Sequence, residues 1–260
     1  MNVLVFDIET IPDIDSGRRL HNLNGLSDKE IADIMFHLRR QETGGSEFLR
    51  LHLQRIVAIS AVFRHDDEVT VWSLGEKKSG EKELIEEFFA AIEKHTPTLV
   101  SWNGSGFDLP VLNYRSLLYG ISAPQYWENG DSTQGFHGDN YQSRYHERHI
   151  DLMDVLASFQ PCANAPLDEM ATILGFPGKM GMDSSKVWPT FMAGDIEAIR
   201  AYCEADVLNT YLIYLKFELT RGNLNPQEHE RESTLLRNML NESAQTHLRE
   251  FMQAWELNKL

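Results

Sequence analysis

Short apolar runs alternate along the chain with longer segments that have helical periodicity. Residues 2 to 8 (NVLVFDI) combine β-branched and aromatic side chains, which is typical of a buried strand, and Ile11-Pro12 should end it. Four further apolar runs predict strands, at about residues 55–63, 68–74, 98–102 and 149–153. Apolar side chains three and four positions apart predict helices, at about residues 28–41, 81–95, 109–119, 166–174 and 195–220, with a C-terminal helical segment from Asn225-Pro226.

This order of elements favours one α/β domain with a mixed sheet flanked by helices. The first three strands would form an antiparallel meander, and the later strands would join it by right-handed crossovers. Residues 16 to 50 are polar and predict a helical insertion, in which Ser27 and Glu30 form a capping box. Residues 120 to 147 show no clear period, and because a stretch of that length is usually functional, we predict a substrate loop there.

Composition limits the classes of function. Of the 260 residues, 42% are hydrophobic, which is enough for a sizeable core. The chain has 24 basic and 39 acidic residues and a net charge of −15, which argues against a protein that coats nucleic acid with its whole surface. A local site for phosphodiesters stays open, because divalent cations held by clustered carboxylates reverse the local sign of the charge.

The expected location is cytoplasmic. No apolar run reaches the roughly 18 residues that span a bilayer, and the opening MNVLVFDIET has neither a basic head nor a small-residue cleavage site. The two cysteines, Cys162 and Cys203, match no metal-ligand spacing. We therefore expect a soluble protein in a reducing compartment, and a buried structural role for Cys203 on the far face of its helix.

Two acidic residues lie at the end of the first predicted strand. Asp7 and Glu9 are two positions apart, so both side chains project from the same face of the sheet. An ordinary solvated strand end is the alternative interpretation. However, Phe6 and Ile8 alternate with them in a run apolar enough to be buried, where an unpaired pair of carboxylates is costly.

Two later segments carry further acidic residues. Asp108 follows the strand TLVSW and a turn with two glycines, so it lies at a helix start, where a capping role is the alternative. Tyr202 and Asp206 are four positions apart on the long helix and share one face. A buried helix face explains the tyrosine, whereas an aspartate beside apolar neighbours calls for another explanation.

The three segments together resemble a known family. FDIET, WNGSGFD and YCEAD are similar to the three motifs of the DnaQ-like 3′-5′ exonucleases, which have the ribonuclease H-like fold. The tyrosine four residues before the last aspartate is typical of the DEDDy subgroup. Within it the chain resembles most the predicted exonucleases related to the proofreading domain of family B DNA polymerases, over residues 1 to about 220.

The resemblance implies a metal-dependent hydrolase with a ribonuclease H-like sheet of five strands. It implies that two divalent cations, Mg²⁺ or Mn²⁺, are held by four carboxylates, those of Asp7, Glu9, Asp108 and Asp206. These residues and Tyr202, which would orient the attacking water, form the expected catalytic set. Two cations of this kind clamp the scissile phosphate and generate hydroxide in such enzymes.

Five residues are predicted to contact the substrate. Thr10, Asn103 and Phe107 lie within the motifs. Lys179 and Lys186 lie in the glycine- and lysine-rich loop of residues 175–186. A solvated connection between helices is the alternative for that loop. Residues 141–149 alternate aromatic and basic side chains in a way that suits base stacking and phosphate contact. For Asp151 and Asp154 we favour an edge or capping role over a place in the carboxylate cluster.

The expected function is hydrolysis of single-stranded DNA from a free 3′ end, with release of 5′-mononucleotides. An exoribonuclease that acts on short RNA is one alternative, because the residues do not reveal contacts to a 2′-hydroxyl. A non-catalytic ribonuclease H-like binding module is another. We expect residues 1–221 to form the exonuclease domain and residues 222–260 a C-terminal helical extension, and we expect no association with membranes.

Overall fold

A single mixed sheet organises the chain, as seen in a computed structural model that describes residues 1–128 and 139–258. Its five strands lie in the order β3-β2-β1-β4-β5, so the first strand is central. β1 pairs antiparallel with β2, as β2 does with β3, while β4 and β5 are parallel to β1. The strands are β1 (Asn2–Pro12), β2 (Gln54–His65), β3 (Glu68–Ser73), β4 (Thr98–Ser101) and β5 (His149–Asp151). The antiparallel meander and the mixed sheet of the ribonuclease H-like fold are thereby confirmed.

Eleven α-helices flank the sheet within the described residues. The first five are α1 (Ile14–His21), α2 (Asp28–Thr43), α3 (Glu81–His95), α4 (Asp108–Tyr119) and α5 (Pro124–Trp127). The others are α6 (Leu152–Leu156), α7 (Leu167–Ile173), α8 (Val187–Met192), α9 (Ile196–Thr220), α10 (Pro226–Glu242) and α11 (Thr246–Leu257). None of the helices in these two described ranges is long and apolar enough to cross a membrane.

The two faces of the sheet bury different helices because side chains alternate along β1. Leu4, Phe6 and Ile8 pack in one apolar cluster with buried residues of α3 and α4. Val3 and Val5 pack on the other face with the long helix α9. Asp7 and Glu9 continue this second row, so their carboxylates point toward α9 rather than toward solvent.

The sequence predicts some element boundaries wrongly. β1 includes Pro12 instead of ending before it, and β5 ends at Asp151, where the short helix α6 begins. α1 is not predicted because its eight residues include Gly17 and bury only one large side chain, that of Ile14. α5 lies within the predicted substrate loop of residues 120–147, and residues 129–138 of that loop lie outside the described residues.

The C-terminal helices share the core of the sheet. Leu236 of α10 and Phe251 of α11 belong to the same cluster as Val3 and Val5. A buried ion pair fixes α10 to β2, since the Arg64 guanidinium lies 2.5 and 2.9 Å from the two carboxylate oxygens of Glu232. The predicted extension is therefore packed as part of one structural unit with the sheet.

Removing one partner of this pair should destabilise the protein strongly. The side chains of Arg64 and Glu232 are only 3% and 9% exposed, so Glu232→Ala leaves a buried guanidinium without its partner. We expect the free energy of unfolding to fall by about 3 to 5 kcal/mol. Arg231→Ala, which breaks an exposed pair with Asp67, is the control and should cost less than about 1 kcal/mol. Equal effects of the two variants in urea unfolding would contradict this account.

Candidate active site

A break in the strand register marks the end of β1 that carries the acidic residues. Glu9 pairs with Ala58 and Thr10 with Ile56, so Val57 of β2 has no opposite residue, which is a β-bulge. Bulges bend a strand and redirect its side chains, and they are common beside active sites. Here the bulge lies directly after Glu9, whose side chain is buried, while Asp7 is half-buried.

The third acidic residue reaches the same place from the start of α4. Asp108 is buried, and its Oδ1 accepts a hydrogen bond from the backbone N–H of Ile8 at 3.0 Å. Ile8 stands between Asp7 and Glu9 in the strand, so this bond holds the Asp108 carboxylate beside both of them. No side-chain hydrogen bond caps α4 at its N-cap, Phe107. The capping alternative does not account for the contact that Asp108 makes with β1.

The fourth acidic residue comes from α9, which crosses the second face of the sheet. Asp206 lines the same recess as Asp7. After burial, its negative charge is among the causes that raise the pKa values of Asp7 and Glu9. Tyr202, one helical turn earlier, is buried and interacts through its hydroxyl with Asp206. The structure thus brings together the four acidic residues and the tyrosine that the sequence singles out.

Burial and mutual repulsion dominate the electrostatics of this cluster. Burial, and then the charges of neighbouring carboxylates, raise the pKa values of Asp7 and Glu9 well above their usual range. Burial raises the pKa of Asp108 to about 7, although the bond from Ile8 lowers it in part. Burial likewise raises the pKa of Asp206 to about 7 against the lowering effect of Tyr202 and Lys179. The negative charges of these groups are only partly compensated, and a bound cation would compensate the remainder.

Cys203 belongs to this site, contrary to the expected position on the far face of the helix. Its thiol lies 3.5 Å from Oδ2 of Asp7, and single ligand atoms of Cys203, Asp7 and Glu9 all lie within 4.8 Å of one another. Burial and the neighbouring carboxylates raise the pKa of the thiol well above its usual value. A protonated thiol donates a hydrogen bond to Asp7 and is a poor ligand for hard cations, whose preferred donors are oxygens.

A cleft of about 470 Å³ opens over the cluster. Asp7, Tyr202 and Asp206 line one side of it, and Asn103 and Lys179 also reach it. Five residues of the expected site therefore share one recess, while Glu9 and Asp108 lie buried behind it.

A comparison with protein families agrees with this geometry. A model of the family described as predicted 3′-5′ exonuclease related to the exonuclease domain of PolB matches residues 46–255. The chain belongs to this exonuclease family. No curated protein matches the chain. The matched range includes Asp108, Tyr202 and Asp206 but begins after Asp7 and Glu9, so the position of those two residues in the cluster is known from the structure alone.

The glycine- and lysine-rich loop of the exonuclease is held by two residues that sequence reasoning does not single out. The Asn209 side-chain amide accepts from the Gly178 N–H at 3.1 Å and donates to the Gly178 carbonyl at 3.0 Å. Asp168 accepts the Lys179 N–H at 2.7 Å. Gly178 has a φ of +64°, and a Cβ there would lie 2.6 Å from Asp168. The backbone is thus fixed while the Lys179 side chain reaches the cleft.

The loop after β4 is held in a similar way from the end of β5. The Asp151 carboxylate accepts the N–H groups of Asn103 at 2.9 Å and Ser105 at 2.8 Å. Asn103 has a φ of 65°, a conformation that asparagine tolerates better than most residues. Gly104 is required because a Cβ would lie 2.2 Å from the Ser101 hydroxyl. Asp151 also caps α6, which agrees with the capping role favoured from the sequence.

Three of the expected substrate contacts lie outside the lining of the cleft. The Thr10 hydroxyl donates to Gln54 at 3.0 Å, and Lys186 forms an exposed ion pair with Asp183 at 3.4 Å. The Phe107 ring packs 5.7 Å from that of Phe48, which comes from the predicted insertion. A role in substrate binding stays a prediction for Thr10, Phe107 and Lys186.

The metal-free exonuclease should lose stability as the pH rises from about 4 to about 7. Asp108 and Asp206 have pKa values of about 7 in the folded protein, against about 3.9 for an unfolded aspartate. A carboxyl group whose pKa is raised by folding contributes stability in full below its unfolded pKa, and this contribution is lost as the pH rises from there to the folded pKa of about 7. Thermal unfolding in EDTA should therefore show a falling Tm, by about 2 to 4 °C for each kcal/mol lost.

Two comparisons separate this effect from other titrations. Burial lowers the pKa of His149 to about 4, so its contribution to stability rises with pH up to about 6.5, the pKa of an unfolded histidine, and opposes the fall. Asp206→Asn should reduce the slope of Tm against pH, and Mn²⁺ should raise Tm most at the high end of the range. A slope that is equal in Asp206→Asn would contradict the assignment.

Asn209→Ala should release the loop of residues 175–186. The variant loses both hydrogen bonds to Gly178, so the backbone around Lys179 should open more often. We expect faster tryptic cleavage after Lys179 under native conditions, measured by mass spectrometry. Asn238→Ala, at an exposed position of α10, is the control. Unchanged cleavage in Asn209→Ala would show that the amide does not hold this loop.

Proposed function

We propose that this chain hydrolyses single-stranded DNA from its 3′ end in a metal-dependent reaction and releases 5′-mononucleotides. The observation that carries the proposal is the convergence of four carboxylates from β1, α4 and α9 at one buried place. None of the ion pairs within residues 1–128 and 139–258 includes any of the four. Buried carboxylates without a basic partner are costly to the fold, so a function that uses their charge is the best explanation.

The donor set fits two hard divalent cations, Mg²⁺ or Mn²⁺. Asp7, Glu9, Asp108 and Asp206 would hold them, because carboxylate oxygens are the ligands that these cations prefer. Bound there, such cations would offset the carboxylate charge, polarise the phosphoryl group and lower the pKa of a water molecule. The protonated Cys203 thiol would act on Asp7, by donating a hydrogen bond, rather than on a cation.

Tyr202 would orient the attacking water. Burial, and then the charges of Asp206, Glu9 and Asp7, raise the pKa of its hydroxyl above the usual value. The hydroxyl therefore stays protonated at neutral pH and is a poor base. A fixed hydroxyl beside Asp206 can still donate and accept hydrogen bonds, which positions a water for in-line attack.

Lys179 would contact a phosphate of the substrate. Among the described residues that line the cleft it is the basic one, and the other charged residues are aspartates. Asp168 fixes the backbone of Lys179, and Asn209 fixes that of Gly178. A recess of about 470 Å³ suits one nucleotide, so the terminal nucleotide would enter it unpaired. The relation of the family to the exonuclease domain of PolB supports DNA as the substrate.

A double variant at the end of β1 tests the two proposed ligands that precede the matched residues 46–255. Asp7→Asn/Glu9→Gln keeps the shape of both side chains and removes their charge. We expect kcat on end-labelled single-stranded DNA with Mn²⁺ or Mg²⁺ to fall by more than about 100-fold, since loss of a partner in the outer coordination shell alone costs 10- to 100-fold. Asp67→Asn, at an exposed acidic residue, is the matched control.

The same assay tests the substrate. Single-stranded DNA should be degraded faster than RNA or a blunt duplex, and a 3′-phosphate should block the reaction because the free 3′ end is altered. Full activity of the double variant would reject the metal-site assignment. Faster degradation of RNA would leave the assignment as an exonuclease in place and would change its substrate from DNA to RNA.

A further inference from the structure

A second cavity, of about 610 Å³, lies on the other side of the loop after β4. Asn103 and Met153 line the catalytic cleft, whereas Ser105 and Asp154 line this cavity. Residues 103–105 and 153–154 thus form a dividing wall between the two recesses. Asp151 ties the two parts of the wall together through its bonds to Asn103 and Ser105. A strand whose end lies in the cleft reaches the cavity by crossing this wall.

The cavity carries an exposed aromatic group beside a second ring and a cation. Tyr145 is 81% exposed, and its ring centroid lies 6.2 Å from that of Phe159. The Arg144 guanidinium lies over the Phe159 ring at 5.1 Å and is held by Asp154 at 3.1 Å. The two neighbouring rings and the guanidinium held by Asp154 present flat faces on which a planar group can stack.

Phe159 is presented by a strained turn. Ser158 and Phe159 have φ values of 52° and 59°, so two consecutive residues other than glycine adopt the left-handed conformation. Each costs on the order of 1 kcal/mol or more. Backbone N–H groups of Phe159 and Ser158 donate to the carbonyls of Asp154 at 2.7 Å and Val155 at 3.1 Å, which holds the turn. The strain is accounted for if the phenyl ring is needed at this place.

We propose that this cavity binds an unpaired base upstream of the nucleotide in the cleft, by stacking on Tyr145 and Phe159. The inference rests on the proposed function, because the base belongs to the strand whose 3′ end is hydrolysed. The volume is within the range of small-molecule sites, about 300 to 1,000 Å³, and accommodates a nucleobase with its sugar. A base in this cavity has left its complementary strand, so the site selects single-stranded 3′ ends.

Hydrolysis of two substrates tests the base site. We expect Tyr145→Ala to raise KM for a single-stranded (dT)₁₀ oligonucleotide by about 5- to 100-fold, which corresponds to the loss of one stacked base. The p-nitrophenyl ester of thymidine 5′-phosphate has no upstream base, so its kcat/KM should not change. Tyr145→Trp should restore KM to within about twofold of the unmodified protein. Tyr114→Ala, at a half-exposed tyrosine of α4, is the control.

Binding provides a readout without turnover. Tyr145→Ala in the Asp7→Asn/Glu9→Gln background should weaken binding of fluorescein-labelled (dT)₁₀, measured by anisotropy, and should not alter binding of an abasic oligonucleotide of the same length. Equal binding of (dT)₁₀ with and without Tyr145→Ala overturns the base site, whatever the hydrolysis shows. Failure of the unmodified protein to hydrolyse either substrate overturns the proposed function instead.

Discussion

The structure depends on holding carboxylates together where they repel one another. Asp7 and Glu9 project into a buried region between β1 and α9, and Asp108 and Asp206 are added to them from two helices. Glu9 and Asp108 are buried from water there, so the negative charge of the cluster is compensated in full only by protonation or by cations. We infer that the surrounding fold must be stable enough to keep the cluster in place before any cation binds.

Polar side chains outside the cluster fix the backbone around it. Asp151 holds the turn that leads to α4, and Asn209 and Asp168 hold the loop that carries Lys179. Each accepts hydrogen bonds from backbone N–H groups, so the position of the main chain is set by partly or fully buried contacts. Groups that would touch the substrate are then placed in advance, which lowers the entropy lost on binding.

The negative net charge of the protein makes uncharged contacts with the substrate important. With a net charge of −15, the protein repels a polyanion at long range, and Lys179 is the one basic residue among the described residues that line the cleft. Stacking of a base on Tyr145 and Phe159 needs no charge on the protein and is less sensitive to salt than phosphate contacts are. A contact of this kind would let an acidic exonuclease retain a strand while cations act only at the scissile bond.

The sequence by itself determined where the strands and the main helices lie along the chain, and it singled out the four acidic residues and Tyr202. Periodicity and motif spacing are local properties, so they can be recognised without the tertiary structure. The sequence did not determine that Cys203 lies against Asp7, that Asn209 holds Gly178, or that α10 is fixed to β2 through Arg64 and Glu232. Those contacts join residues 31 to 196 positions apart, and only the packing of α9 and α10 on the sheet brings them together. Likewise, the left-handed turn at Ser158 and Phe159 has no glycine to reveal it, so the base cavity became visible only in three dimensions.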